Sequence, residues 1–227
     1  MCDSCGQDHR TFLQRILPVS INVKTNHKSE YRSFFLGWQD LQDIRSADRL
    51  IDFNDGWMVG FTRGKRFCNN IRIEREVTIR HTTPGDYNTG AFVGDDFVPA
   101  ATFDAFDSLF AISSMRNLIY DFNGLGTRIT PYAGIGLGGL YVTGDIVTPD
   151  LGRAEWINDS AFAYQFIVGA TRKISDRTEA FAEFRHYGTS GLELENDAGD
   201  PVIDFPFQNN SIIAGIRINM PRRGCCK

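Results

Sequence analysis

Apolar and polar residues alternate with a period of two along most of this chain. Because successive side chains of a strand point to opposite faces, this pattern predicts β-strands. In residues 129–141 the apolar side chains Ala133, Ile135 and Leu137 alternate with glycines. The alternation predicts eight strands, over 31–41, 56–67, 71–81, 110–122, 129–141, 161–171, 179–187 and 211–220.

One face of each predicted strand is apolar and rich in aromatic residues, whereas the other mixes glycine with charge. A small membrane barrel needs this polarity, with lipid outside and a narrow polar lumen inside. The predicted lipid-facing residues are Trp57, Val59, Phe61, Ile135, Leu137, Phe162, Tyr164, Phe166, Ile212 and Ile216. The predicted lumen charges are Arg72, Glu74, Glu76, Arg80, Asp121, Glu183, Arg185 and Arg217. Two arginines, Arg75 and Arg116, fall on otherwise apolar faces.

The connections between the predicted strands alternate between long and short. The long ones cover about 42–55, 82–108, 143–160 and 188–209, and all fall at one end. Outer-membrane barrels have this asymmetry and an even strand count. The prediction is therefore an all-β fold: a single closed antiparallel up-and-down transmembrane β-barrel of about eight strands. It occupies residues 29–220, between an N-terminal tail (1–28) and a C-terminal tail (221–227).

A soluble lipocalin-like, ligand-binding barrel has the same strand period and remains the alternative fold. A helical membrane protein is excluded, because no apolar run reaches the ~20 residues that a membrane helix needs. The formal net charge of −4 gives no electrostatic reason to expect nucleic acid binding. Residues 42–55 are charged and loop-like, although one or two helical turns are compatible with residues 41–50.

The termini carry four of the five cysteines: Cys2, Cys5, Cys225 and Cys226, with Cys68 in the predicted turn 68–70. Their spacing does not provide two suitable ligand pairs, so no metal and no cofactor are expected. No secretory signal peptide is recognised, because Arg15, Pro18 and Asn22 interrupt the apolar stretch 11–23. Three explanations are left open: a signal was removed before Met1, the start lies further upstream, or the protein is soluble.

Several short segments of the sequence resemble, in the same order along the chain, segments of a known family. They are 56–61 (GWMVGF), 69–76 (NNIRIERE), 115–122 (MRNLIYDF), 130–138 (TPYAGIGLG), 163–170 (AYQFIVGA) and 179–187 (EAFAEFRHY). Together they are similar to the eight-stranded outer-membrane β-barrel domain of opacity-type adhesins, rickettsial-type surface antigens and the OmpA membrane domain. The resemblance covers about residues 31–220. It implies an outer-membrane location and, in most members, no enzymatic activity. The roles it implies are adhesion, envelope integrity or slow solute passage.

Two features depart from this family. Its barrels usually end in an aromatic residue, whereas this chain continues past Met220 to Lys227, and the signal peptide is not seen.

A catalytic site is not expected in this chain. A surface deacylase needs a serine beside a histidine, and His186 near Ser190 is the closest candidate, without a His-x-Ser pattern.

The mixed signs of the lumen charges predict ion pairs that plug an interior barely wide enough for side chains. Arg185 is expected to pair with Glu74 or Glu76 across the ring. The long connections 82–108 and 188–209 are acidic and lack Lys and Arg, which suits divalent cations or a basic partner. The sequence thus predicts a monomeric, non-enzymatic outer-membrane barrel in contact with lipid, serving envelope structure or surface interaction. A weak porin for small solutes is the alternative.

Overall fold

The computed structural model describes residues 27–46, 49–67, 69–93, 96–104, 106–123, 128–147, 154–190, 193–195, 201–204 and 207–220. Eight long strands form the barrel: β1 (His27–Leu41), β2 (Arg49–Phe67), β3 (Ile71–Val93), β4 (Phe106–Asp121), β5 (Ile129–Val147), β6 (Ala154–Lys173), β7 (Thr178–Ser190) and β8 (Gln208–Asn219). Four shorter strands accompany them: Ile44–Ser46, Asp96–Asp104, Glu193–Glu195 and Pro201–Asp204.

Each barrel strand pairs antiparallel with the next in the chain, and β1 closes the ring by pairing with β8. Following paired residues around the ring from Arg32 returns to β1 at Gln42, ten residues further along. With ~3.3 Å per residue and ~4.8 Å between strands, this shift tilts the strands by about 40°. The predicted single, closed, eight-stranded up-and-down barrel is confirmed.

At the end with the long connections, the strands extend further than predicted. The region expected to be the acidic loop 82–108 is instead a two-stranded ribbon, in which β3 continues to Val93 and pairs with Asp96–Asp104. The helical turns considered for 41–50 are absent from its described residues, because Ile44–Ser46 pairs with β2. Both predictions were wrong for the same reason. Beyond the closed ring, pairing with a short strand still provides hydrogen-bond partners for the backbone N–H and C=O groups of β2 and β3.

The opposite end carries the short turns. Asn70, in the predicted turn 68–70, has a φ of 65°, a left-handed conformation that Asn tolerates in turns. In the turn 174–177, the N–H groups of Ile174 and Ser175 donate to the carbonyl of Thr178. A hydrogen bond from Lys173 lowers the pKa of Asp176 in this turn. The N–H of Met220 donates to the carbonyl of Glu30, so β1 begins where β8 ends.

The predicted tails lie outside the described residues, except that His27 and Lys28 begin β1. All five cysteines also lie outside the described residues, so the expectation that they hold no metal stays a prediction. Within the described residues, no helix has the length and apolar character that a membrane crossing requires.

Candidate functional site

The outer surface of the barrel is a belt of exposed apolar side chains. Nine of the ten residues predicted to face lipid are exposed there, and Tyr164 is half-buried. At the long-connection end, Trp57 of β2 stacks on His81 of β3, with ring centroids 5.3 Å apart. The ring of Phe110 on β4 lies 4.6 Å beyond His81. Aromatic rings at the edge of an apolar belt are typical of the boundary between lipid and water.

The interior has the opposite character. The buried charged side chains of the described residues are the eight predicted for the lumen: Arg72, Glu74, Glu76, Arg80, Asp121, Glu183, Arg185 and Arg217. Four arginines and four carboxylates give an interior with no net charge. A soluble lipocalin-like barrel would bury apolar residues and expose polar ones, so that alternative was wrong. The barrel has the polarity of a transmembrane protein.

Arg185 of β7 is the centre of one ion-pair cluster. Its Nη1 lies 2.5 Å from Oε1 of Glu76, on the opposite strand β3, and its Nη2 lies 2.6 Å from Oε2 of Glu183. Glu76 also accepts hydrogen bonds from Asn117 (2.9 Å) and Thr78 (3.1 Å). Each acidic oxygen of Glu76 therefore has a partner, and the cluster joins opposite walls of the barrel.

Arg72 of β3 is the centre of a second cluster, nearer the short turns. Its Nε lies 2.9 Å from Asp121 and its Nη1 2.7 Å from Glu74. The hydroxyl of Tyr31 on β1 donates to Glu74. Arg217, on β8, lies 3.9 Å from the same Glu74 carboxylate. This cluster therefore links four strands across the interior.

A third pair, at the short-turn mouth, was missed by the sequence reasoning. Two nitrogens of Arg66 donate to Glu179, at 2.9 and 2.5 Å, and Arg217 approaches the same carboxylate at 3.4 Å. Both partners are largely buried, with 19% and 13% of their side chains exposed. The same alternation that placed Gly64 and Glu183 inward would have included Arg66 and Glu179, had it been followed to the strand ends.

Arg80 lies in the interior but outside these clusters. Its Nη1 donates to the Ser113 hydroxyl at 2.6 Å, and its guanidinium lies 4.1 Å from the ring centroid of Tyr187. Among the described residues, no carboxylate is ion-paired with it. Towards the long-connection end the described interior side chains are uncharged: buried Leu41, Leu109 and Phe207 lie near the buried polar residues Gln39, Thr82 and Asn209. The predicted charge network therefore includes Arg80 by position and not by ion pairing.

Inward-pointing aromatic rings lie over inward-pointing glycines of the neighbouring strand. The paired residues are Tyr31 with Gly64, Phe35 with Gly60, Tyr132 with Gly169 and Phe181 with Gly215. The rings also take part in the charge clusters: Tyr132 donates to Glu183 at 2.6 Å, and Arg185 lies 4.7 Å from the centroid of Phe35. The glycines are thus needed because each leaves the space that a ring fills.

We expect Gly64→Ala to destabilise the barrel by about 1–3 kcal/mol, the usual cost of overpacking. A Cβ at Gly64 would overlap the Tyr31 ring, which contacts Glu74 and three arginines. Gly139→Ala is the matched control, because a Cβ there meets only the Ala161 carbonyl, at 3.7 Å. The free energy of unfolding of both variants is measured with urea in lipid vesicles. Equal stability of the two would contradict this account of the lumen glycines.

The one histidine considered for catalysis has different contacts. Nδ1 of His186 lies 3.0 Å from Oδ1 of Asn210, and its ring stacks on Phe166 with centroids 6.4 Å apart. Both contacts lie on the outer side of the wall, because Asn210 and Phe166 share the face of Ile212. His186 therefore lies on the outer face of the barrel, between a polar and an aromatic side chain.

The fold is similar to those of solved outer-membrane proteins. Neisserial surface protein A shares 14% identity with this chain, over 85% of this chain and 97% of that one, with a TM-score of 0.53. A major outer membrane protein from Thermus thermophilus shares 11% identity over 85% of this chain and 100% of that one, with a TM-score of 0.54. No family model and no curated protein matches the sequence. The structural likeness establishes the fold.

Proposed function

We propose that this chain, which has the fold of eight-stranded outer-membrane barrels, is a non-enzymatic outer-membrane protein that serves envelope structure or surface interaction. The observation that carries the proposal is the inverted polarity of the barrel, with an apolar exterior and eight buried charges inside. Such a wall is stable only where lipid covers the outside. The ion-paired side chains inside the barrel favour a structural role over transport.

The ion pairs support a plugged lumen. Arg185 and Glu76 meet from opposite walls at 2.5 Å, and Arg72 connects Asp121 with Glu74 at a second level. An ion that crossed the barrel would have to separate these pairs, and separating a buried pair leaves uncompensated charge. We therefore expect near-zero conductance from the unmodified barrel.

A weak porin is the second candidate, and one observation favours it. Among the described residues only side chains occupy the lumen, and a polar cavity of about 120 Å³ opens at the short-turn mouth beside Arg66 and Glu179. Side chains change conformation faster than a plug of folded backbone does. Planar-bilayer conductance of the unmodified protein distinguishes this candidate from the first.

Surface interaction is supported by the ribbons at the long-connection end. From His81 to Val93, β3 continues for up to about 40 Å, at ~3.3 Å per residue. The register sets Asp86 opposite Asp104, and Glu193 opposite Asp204 in the second hairpin. These positions belong to acidic connections, whose composition suits divalent cations or a basic partner.

We expect the refolded protein to be heat-modifiable. A closed ring has no free edge, so its hydrogen bonds should survive SDS until the sample is boiled. Unboiled protein refolded in detergent should therefore migrate differently from boiled protein on a gel. Protein unfolded in urea and loaded without refolding is the control, and it should migrate as the boiled form. Identical mobility of all samples, together with a soluble monomer in detergent-free buffer, would rule out the membrane barrel.

A further inference from the structure

Four arginines form a continuous row on the outer surface of the barrel. Arg32 of β1 pairs in register with Arg63 of β2, Arg63 with Arg75 of β3, and Arg75 with Arg116 of β4. All four side chains are exposed. The row includes the two arginines that interrupt the apolar faces in the sequence, Arg75 and Arg116. We call these four residues the arginine row.

The arginine row enters the apolar belt obliquely. Because the strands tilt by about 40°, each step to the next strand moves a paired residue ~3 Å away from the short turns. Arg116 therefore lies ~9 Å further into the belt than Arg32. Exposed apolar residues flank the row on its long-connection side: Phe34, Phe61 and Val77 each lie two positions along the strand from an arginine of the row.

The arginine row has too few counter-charges on the protein. Glu30 lies 3.2 Å from Arg63, and it is shared with Lys65 at 3.5 Å. Among the described residues, no carboxylate is ion-paired with Arg32, Arg75 or Arg116. Like charges directly opposite one another on neighbouring strands repel, and arginine on the lipid face of a barrel is costly. Such an arrangement is stable when an anion from outside the protein binds to it.

We propose that the arginine row binds the phosphate groups of anionic phospholipids in the leaflet at the short-turn end. Guanidinium groups bind phosphate through two parallel hydrogen bonds, so arginine suits this ligand better than lysine. The row reaches from the rim into the belt, where a headgroup can contact the arginines while its acyl chains cover the apolar residues beside them. The inference rests on the proposed function, because it requires that the barrel spans a membrane.

An acidic protein segment is the competing occupant. It would need polar groups around the row to accept its backbone, whereas Phe34, Phe61, Val77 and Leu118 beside the row are apolar and exposed. A lipid brings a phosphate and hydrocarbon in one molecule, and both match this surface. The lipid is therefore the better occupant.

The test compares Arg75→Gln/Arg116→Gln with the unmodified protein and with Arg128→Gln/Arg172→Gln. The control removes two exposed cations from the same end of the barrel but outside the arginine row. Each protein is refolded in mixed micelles of phosphatidylcholine and phosphatidylglycerol, and bound lipids are counted by native mass spectrometry. The unmodified protein and the control should retain phosphatidylglycerol preferentially. The row variant should lose this preference by roughly fivefold per arginine, or about 25-fold in total.

Heat modifiability of each sample shows whether the barrel has formed, which separates failure of the proposed function from failure of this inference. If Arg75→Gln/Arg116→Gln does not form a barrel, Arg32→Gln/Arg63→Gln at the rim carries the same test. Equal retention of the two lipids by the folded unmodified protein would overturn the proposal. An equal loss in the control would do so too. Displacement of phosphatidylglycerol by a glutamate-rich peptide at matched charge would assign the row to an acidic protein segment instead.

Discussion

Arg185→Ala should destabilise the barrel by about 3–5 kcal/mol, the usual cost of removing one partner from a buried ion pair. The large cost is expected because Glu76 and Glu183 both lose their arginine and stay buried. The free energy of unfolding, measured with urea in lipid vesicles, checks the stability. Single-channel conductance should rise from near zero, because part of the plug has been removed.

A matched control for Arg185→Ala is Arg172→Ala, an exposed arginine on the neighbouring strand β6. It should change stability by no more than about 0.5 kcal/mol. A double-mutant cycle then isolates the pair itself: Arg185→Ala and Glu76→Ala should show a clear coupling energy. Reversing both charges, with Arg185→Glu and Glu76→Arg, should restore part of the loss. Absence of coupling would refute the pairing, and a porin-like conductance of the unmodified barrel would refute the plug.

Ile135→Arg should destabilise the barrel in lipid by about 2–4 kcal/mol, because it places a charge near the middle of the apolar belt. Ile135 is exposed on the outer face of β5, with Leu118 and Phe166 directly opposite on the two neighbouring strands. Neither neighbour offers a counter-charge. Unfolding in vesicles of phosphatidylcholine measures the effect without contributions from anionic lipid.

Ile129→Arg provides the depth control, because Ile129 shares the strand and face of Ile135 but lies at the short-turn rim. Near the interface the expected cost falls to about 0–1 kcal/mol. A gradient between these two variants locates the belt along the barrel axis. Equal costs, or an unchanged stability of Ile135→Arg, would mean that the outer face does not contact hydrocarbon.

The face of each barrel residue could be read from the sequence, because side-chain direction in a strand depends only on parity. Residues such as Glu74 and Arg185 were assigned inward on this basis alone, and the structure places them inside. Strand number and closure were also predictable, since the connections alternate in length. The ends of the strands were less predictable. β3 extends twelve residues beyond its predicted end at His81, because it continues to pair with Asp96–Asp104, and alternation within one strand does not show where such pairing stops.

The sequence by itself therefore determined the barrel, its polarity and the eight buried charges of its lumen, all of which follow from local alternation. The tertiary structure alone decided which charges meet. Arg185 pairs with Glu76, 109 residues away, and not with Glu74, because the register and tilt of the strands set the height of each side chain. The same register brings Arg75 and Arg116, which are isolated irregularities in the sequence, into one row with Arg32 and Arg63. Which residues become neighbours on adjacent strands depends on the register in which the ring closes. The alternation within one strand carries no information about this register.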